Sequence, residues 1–258
     1  MREISSDEQL DDDAFMDTGE RRGRKAAAWG VHLFTASGIV LGCLALMATL
    51  EGDRLAAFLW LGLALFVDGI DGTLARRLKV GELVPQVDGA TLDNVIDYFN
   101  YVAVPAVMIY AFELVPAGWA TWTAAFVMTV SCYTFANANV KTSDYYFEGF
   151  PALWNLIVLY AFVLQTGPWT NLAIIAVCGV LTFLPLKYVH PLRVKDWRVV
   201  TLPMTAIWAA SSLYLVFVQH RVGSAAGDAP LVFWVWVAAS VYFAALSLWR
   251  SLKPARPA

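Results

Sequence analysis

Between Asp68 and Asp97 the chain reads DGIDGTLARRLKVGELVPQVDGATLDNVID, with four carboxylates, Asp68, Asp71, Asp93 and Asp97, set beside long apolar runs. An aspartate at the centre of a bilayer costs about 2.5–3.5 kcal/mol on insertion scales. Carboxylates in or beside a membrane segment are therefore functional candidates by default. Asp68 and Asp71 stand at i and i+3, Asp93 and Asp97 at i and i+4, so each pair shares one face of its own helix. Two such faces turned toward each other make an oxygen-rich, strongly negative cage. That donor set suits hard divalent cations, Mg²⁺ or Mn²⁺.

The first of these helices carries more on the same face. At about 100° per residue, Gly72, Ala75 and Arg76 fall within about 80° of Asp68. Small residues let a ligand or a backbone come close, and arginine offers a forked donor that matches phosphate. Carboxylates for metal, space for a nucleotide and a guanidinium for phosphate together point to metal-assisted phosphoryl transfer. The motif holds no Ser-His or Cys-His pairing that would signal a covalent route. Interfacial salt bridges to Arg76, Arg77 and Lys79 are the blander account, but they leave the two spaced pairs unexplained. Arg77 and Lys79 themselves read as side chains that snorkel to anionic headgroups.

Asp68, Asp71, Gly72, Ala75 and Arg76, followed by Gly89, Asp93 and Asp97, form an ordered pattern that resembles the signature of the CDP-alcohol phosphotransferases. These membrane enzymes displace CMP from a CDP-activated lipid with an alcohol. Twelve residues, Arg77 to Asp88, separate Arg76 from Gly89, where most of the family has eight. That spacer, the run LDNVIDYFNYV and the later FEGFPALWN (Phe147 to Asn155) look like the bacterial branch that makes phosphatidylcholine. The resemblance implies two divalent cations, Mn²⁺ or Mg²⁺ with Mn²⁺ favoured, held by Asp68, Asp71, Asp93 and Asp97. Asp68 and Asp93 would bridge them, and Asp97 would also serve as general base on the acceptor hydroxyl. Gly72 and Ala75 would let the cytidine diphosphate part lie against the helix, Arg76 would hold a phosphate, and Gly89 would allow the two helices to approach. The implied substrates are CDP-diacylglycerol and choline, the implied products phosphatidylcholine and CMP, and the resemblance leaves room for a homodimer.

Choline is a quaternary cation and favours aromatic faces. Tyr101 follows Asp97 by four residues, which places it on the catalytic face one turn deeper. Tyr98, Tyr145, Tyr146 and Trp154 are further aromatic candidates, although aromatics also form interfacial belts. Serine, glycerol 3-phosphate or inositol as acceptor stays open on the residues alone, and an ion-coupled transporter is the alternative from another class. The aspartates argue against the transporter, because they lie toward the ends of their apolar runs rather than at the middle.

These residues must be positioned by membrane helices. The chain has 258 residues, 59% hydrophobic and 15% charged, with mean hydropathy +0.58. Soluble domains carry about 25% charged residues, so the class is integral membrane protein. No basic footprint for nucleic acid is present. Eight apolar stretches are expected as helices: Trp29 to Leu50, Leu55 to Leu74, Leu92 to Leu114, Trp119 to Ala138, Phe150 to Leu164, Trp169 to Leu186, Val199 to Val218 and Leu231 to Trp249. The fifth is short for a hydrocarbon core of about 30 Å. Barrel-like alternation is absent, so the expected fold is an all-α helical bundle with both termini on one side. Of the 18 Lys and Arg, only Arg54 and Arg221 fall on the other side. The positive-inside rule then makes the side with the termini and the Arg77–Asp88 connection cytoplasmic. The expected location is the bacterial inner membrane, multi-pass, with the active site facing the cytoplasm.

Residues 1–25 read as a disordered cytosolic tail, and 26–258 as one transmembrane domain. Gly38 and Gly42 have the spacing of close helix packing. Cys43, Cys132 and Cys178 lie in apolar runs without disulfide or zinc spacing. His32, His190 and His220 are scattered and read as structural or interfacial. His190, in a predicted cytosolic loop, could reach a phosphate.

Overall fold

The structure is a computed structural model, and it describes residues 6–137, 146–191 and 197–253, with side chains from residue 19. In chain order the helices are α1 (Ser6–Leu50), α2 (Arg54–Arg77), α3 (Val80–Leu83), α4 (Gly89–Tyr98), a π-helical turn (Phe99–Ala103), α5 (Val104–Ala111), α6 (Ala120–Ala136), α7 (Trp154–Leu164), α8 (Pro168–Leu181), α9 (Arg198–Val222), α10 (Ala225–Asp228) and α11 (Pro230–Ser251). Two three-residue strands, β1 (Tyr146–Glu148) and β2 (Lys187–Val189), also form. Each of the eight expected apolar stretches holds helix, the third as α4, the π turn and α5 run together. Among the described residues, four helical stretches are long and apolar enough to cross a membrane: Gly19–Leu50, Arg54–Arg77, Arg198–Val222 and Pro230–Ser251.

Two details differ from expectation. Helix begins at Ser6, inside the polar segment expected to be disordered, and residues 19–27 are all exposed. Over residues 19–27, which stand exposed, helicity rests on propensity and continuity with the apolar run. The second is a pair of short strands set beside the all-α bundle. β1 and β2 pair antiparallel, Tyr146 opposite Val189 and Glu148 opposite Lys187, and three residues are too few for a period to show in sequence. The Ser251 and Ser247 hydroxyls on α11 accept from the backbone N–H groups of Lys187 and Val189.

The connections gather at two ends. At one, the Arg54 guanidinium donates to the Phe112 carbonyl at 3.4 Å and lies over the Phe112 ring. There too the Asn171 amide donates to the Leu114 carbonyl at 2.7 Å and Gln165 to that of Gly223. At the other end the strand pair ties the α6–α7 connection to the α8–α9 connection. Gly149 turns there at φ +81, and a Cβ would strike the Thr182 carbonyl, so only glycine fits. Tyr145 and the basic residues Arg2, Lys141, Arg193, Lys195 and Arg256 lie outside the described residues.

The main core runs through α1, α2, the π turn, α5, α7, α9 and α11, with Tyr101, Met108, Ile109, Trp154, Leu215 and Trp236 buried in it. A second, small cluster of Ala28, Val31, Val80 and Val84 seats the α2–α4 connection on α1, with Leu74, Ala75, Leu83 and Val87 packed around it. The twelve-residue spacer is thus a folded cap rather than a free loop.

Candidate active site

α2 brings Asp68 and Asp71 to the site, and α4 brings Asp93 and Asp97. α4 is started by Asp88, whose carboxylate accepts from the Ala90 N–H at 3.0 Å and the Thr91 hydroxyl at 2.6 Å. These bonds, that from Thr91 foremost, hold the exposed Asp88 carboxyl below its ordinary range. The cap fixes where α4 begins, and so how its carboxylates are turned.

Asp68, Asp71 and Asp93 come together across the two helices, each offering a carboxylate oxygen within 4.8 Å of the others. Asp71 is 5% exposed, and Asp68 and Asp93 are half-buried. Asp97 stands outside that trio but lines the same narrow pocket, with Thr35, Gly38, Ala64, Val67 and Ile96. Three carboxylates so close repel one another unless cations sit among them, and hard oxygen donors are what Mg²⁺ and Mn²⁺ take. The residues present therefore fit divalent metal.

Gly72 and Ala75 are half-buried toward the end of α2. Arg76 is exposed and donates to the Thr73 hydroxyl at 3.2 Å, so its guanidinium stands at the rim. Gly89 faces α1, where a Cβ would meet His32 Cε1 at an ordinary 3.6 Å. The tight glycines are on α1 instead. A Cβ on Gly38 would lie 2.9 Å from Ile96, and one on Gly42 would land on the Asn100 amide and 2.8 Å from the Phe99 ring. Asn100 in turn donates to the Gly38 carbonyl at 3.1 Å. α1 thereby becomes the third wall of the site. The spacing of Gly38 and Gly42 marked this face for packing, but nothing in the sequence marked Thr35 or Gly38 as pocket lining.

The described aromatic candidates are occupied by the fold. Tyr101 is 6% exposed, and its hydroxyl donates to Asp68 Oδ2 at 2.7 Å. The π turn that begins two residues after Asp97 carries Tyr101 to this position, and such turns recur at functional sites. The expectation set this ring against the acceptor's ammonium. The structure buries the ring and turns its hydroxyl onto a carboxylate. Tyr98 faces α6, donating to the Met128 carbonyl at 3.0 Å and meeting Phe135 edge-on. Trp154 is fully buried with its indole N–H on Ser131 at 2.7 Å, and the Tyr146 ring lies under the Arg250 guanidinium at 5.7 Å. The FEGFPALWN block is accordingly a packing element, in which Phe150 meets Trp154 and Tyr188 edge-on. Beside α2, an apolar groove of about 480 Å³ lies between it, α7 and α9, lined by Phe58, Leu65, Phe66, Leu159, Trp208 and Val216. It ends near Phe66, two residues from Asp68.

The model of the CDP-alcohol phosphatidyltransferase family matches residues 32–185, which contain every carboxylate of the site. The chain belongs to this family. It is 43% identical over 229 residues to a phosphatidylcholine synthase of Pseudomonas aeruginosa, covering 89% of this chain and 94% of that protein. It is 44% identical over 186 residues to one of Mesorhizobium japonicum, covering 72% of this chain and 69% of that protein. It is 38% identical over 180 residues to one of Borreliella burgdorferi, covering 70% and 77%. In this CDP-alcohol phosphatidyltransferase the carboxylates meet across two apolar helices, with an apolar groove alongside.

Proposed function

We propose that this chain transfers the phosphatidyl group of CDP-diacylglycerol to choline, releasing phosphatidylcholine and CMP. The observation that carries the reading is the convergence of Asp68, Asp71 and Asp93, with Asp97 beside them, in one pocket of a chain that matches phosphatidylcholine synthases over most of its length. Asp68, Asp71, Asp93 and Asp97 would hold two divalent cations, Mn²⁺ or Mg²⁺. Bound there, the cations would neutralise the diphosphate and stabilise the charge that develops as CMP leaves.

The protein side of the reaction follows from where its groups stand. The choline hydroxyl attacks the phosphorus next to diacylglycerol, forming the new P–O bond. The bond from that phosphorus to the oxygen carried off by CMP breaks. An alcohol's pKa lies far above 7, so a base is needed as the bond forms, and Asp97 takes the proton. Gly72 and Ala75 leave room for the cytidine diphosphate, Gly89 keeps the start of α4 slim beside it, and Arg76 at the rim reaches a phosphate. An acyl chain in the groove along α2 would bring the headgroup toward Asp68, since eight residues from Phe58 to Phe66 rise about 12 Å.

The same reading sets the chain in the bacterial inner membrane with eight crossings. Both termini and the spacer between α2 and α4 then face the cytoplasm, where the nucleotide is. Lys and Arg asymmetry supports this. The homodimer that the resemblance allows is tested by cross-linking in native membranes. The reaction is tested by offering choline, serine, glycerol 3-phosphate and inositol separately with CDP-diacylglycerol and Mn²⁺. Choline should release CMP and form phosphatidylcholine. Use of another alcohol with choline left untouched would overturn the acceptor and leave the transfer chemistry standing.

A further inference from the structure

His32 lies on α1 and is 7% exposed. Its Nε2 is shut off from solvent and makes no hydrogen bond among the described residues. Burying a polar atom without a partner is costly, and in native chains such an atom calls for an explanation beyond packing. The ring is held edge-on to Trp29, with centroids 6.0 Å apart. Its Cε1, the carbon between the two ring nitrogens, faces Gly89 at 3.6 Å from where a Cβ would stand. The nitrogen-bearing edge therefore points at the first turn of α4.

That position is one turn outside the carboxylates. Thr35, three residues along α1 and about 4.5 Å away in rise, lines the pocket with Asp68, Asp71, Asp93 and Asp97. Gly89 is four residues, about 6 Å of rise, before Asp93 on α4. Both displacements run toward the end of α2 that carries Gly72, Ala75 and Arg76, and Ala75 packs on the cluster formed by Ala28 and Val31, the neighbour of His32. His32 thus stands level with the small-residue face.

We propose that His32 recognises the nucleoside part of the CDP-activated lipid, with Nε2 hydrogen-bonded to the cytidine moiety. The inference rests on the phosphatidyl-transfer reading. If the diphosphate sits at the carboxylates, the ribose and cytosine follow outward, to the level where a polar atom is buried without a partner. An imidazole nitrogen matches the hydroxyls and polar ring edge of a nucleoside, and Gly89 beside it carries no side chain to obstruct them. His32 touches neither the reacting phosphorus nor the alcohol, so it acts on nucleotide binding and not on the acceptor.

The test uses the purified full-length protein with Mn²⁺, titrated with CMP and, separately, with inorganic pyrophosphate. His32→Phe keeps the ring's bulk and removes its hydrogen bond. CMP binding should weaken roughly tenfold, the worth of about one hydrogen bond. Pyrophosphate binding and the KM for choline should hold, and His32→Asn should recover part of the loss. The melting temperature of His32→Phe should not fall, because hydrocarbon replaces an unsatisfied nitrogen; His32→Leu takes its place should the Phe variant not accumulate. Wild-type CMP affinity in the variant overturns the proposal, and so does an equal loss for pyrophosphate. Failure of the unmutated protein to bind CMP overturns the phosphatidyl-transfer reading itself, and the His32 assignment with it.

Discussion

Asp71 is nearly closed off from solvent, while Asp68 and Asp93 are half-buried beside it. Aspartate-to-asparagine changes keep their shape and remove the charge that would hold a cation. Asp68→Asn, Asp71→Asn, Asp93→Asn and Asp97→Asn should each cut turnover by orders of magnitude while the protein still accumulates in membranes. Chelation should do the same to the unmutated enzyme. Near-normal turnover in Asp93→Asn would remove the two-cation assignment. Tyr101 makes a sharper case. Its hydroxyl donates to Asp68 at 2.7 Å, and groups that hold a metal-binding side chain typically change metal affinity or activity 10- to 100-fold when lost. Tyr101→Phe, which keeps the ring, should therefore raise the Mn²⁺ concentration needed for half activity by roughly that factor. Mn²⁺ binding measured without substrate should weaken in parallel. An unchanged Mn²⁺ affinity would return Tyr101 to a packing role.

Among the elements, α1 and the start of α4 carry the most consequence. Gly42 admits the π turn to within contact of α1, and a methyl group there would meet the Asn100 amide and the Phe99 ring. Gly42→Ala should displace the segment that carries Asp97 and Tyr101. The expected outcome is a melting temperature lowered by several degrees, as about 1–3 kcal/mol of overpacking implies, together with lost turnover. Gly89→Ala should be the milder of the two, because its new methyl would stand at an ordinary contact distance from His32. The cap of α4 gives a dependence on acid. Asp88 is held below its ordinary carboxyl range by Thr91 and Ala90. Its contribution is complete above that range and is lost as pH falls through the lower folded value. At neutral pH, Asp88→Asn should keep most activity because it retains a capping oxygen, whereas Asp88→Ala should lose it. Equal activity in the two variants would show that the start of α4 is fixed by something else, such as the seat of the spacer on α1.

The whole molecule sorts its helix connections into two ends, joined at one by the β1–β2 pair and at the other by contacts such as Arg54 with Phe112. Orientation in a membrane is a separate matter, set by where Lys and Arg lie. Glu82, exposed in the spacer, reports it. In intact cells a membrane-impermeant thiol reagent should miss Glu82→Cys and label it once the cells are opened. The native Cys43, Cys132 and Cys178 should first be replaced by Ser or Ala. Labelling from outside would invert the proposed sidedness.

The carboxylate pairs, the small face of α2 and the apolar stretches were legible before any coordinates, because each depends on a local period along a helix. Membrane insertion magnifies that legibility, since a charge in an apolar run is costly and must have a reason. Three-dimensional packing decided the rest. Which of the four aspartates lie within 4.8 Å of one another depends on how α2 and α4 are turned, and Asp97 was left at the pocket wall. The task of Tyr101 depends on a π turn and on the distance across to α2. The strand pair, the spacer seated on Val31 and the buried nitrogen of His32 join residues far apart in the chain. Contacts of that kind have no period along the sequence, and only the assembled helices bring their partners together.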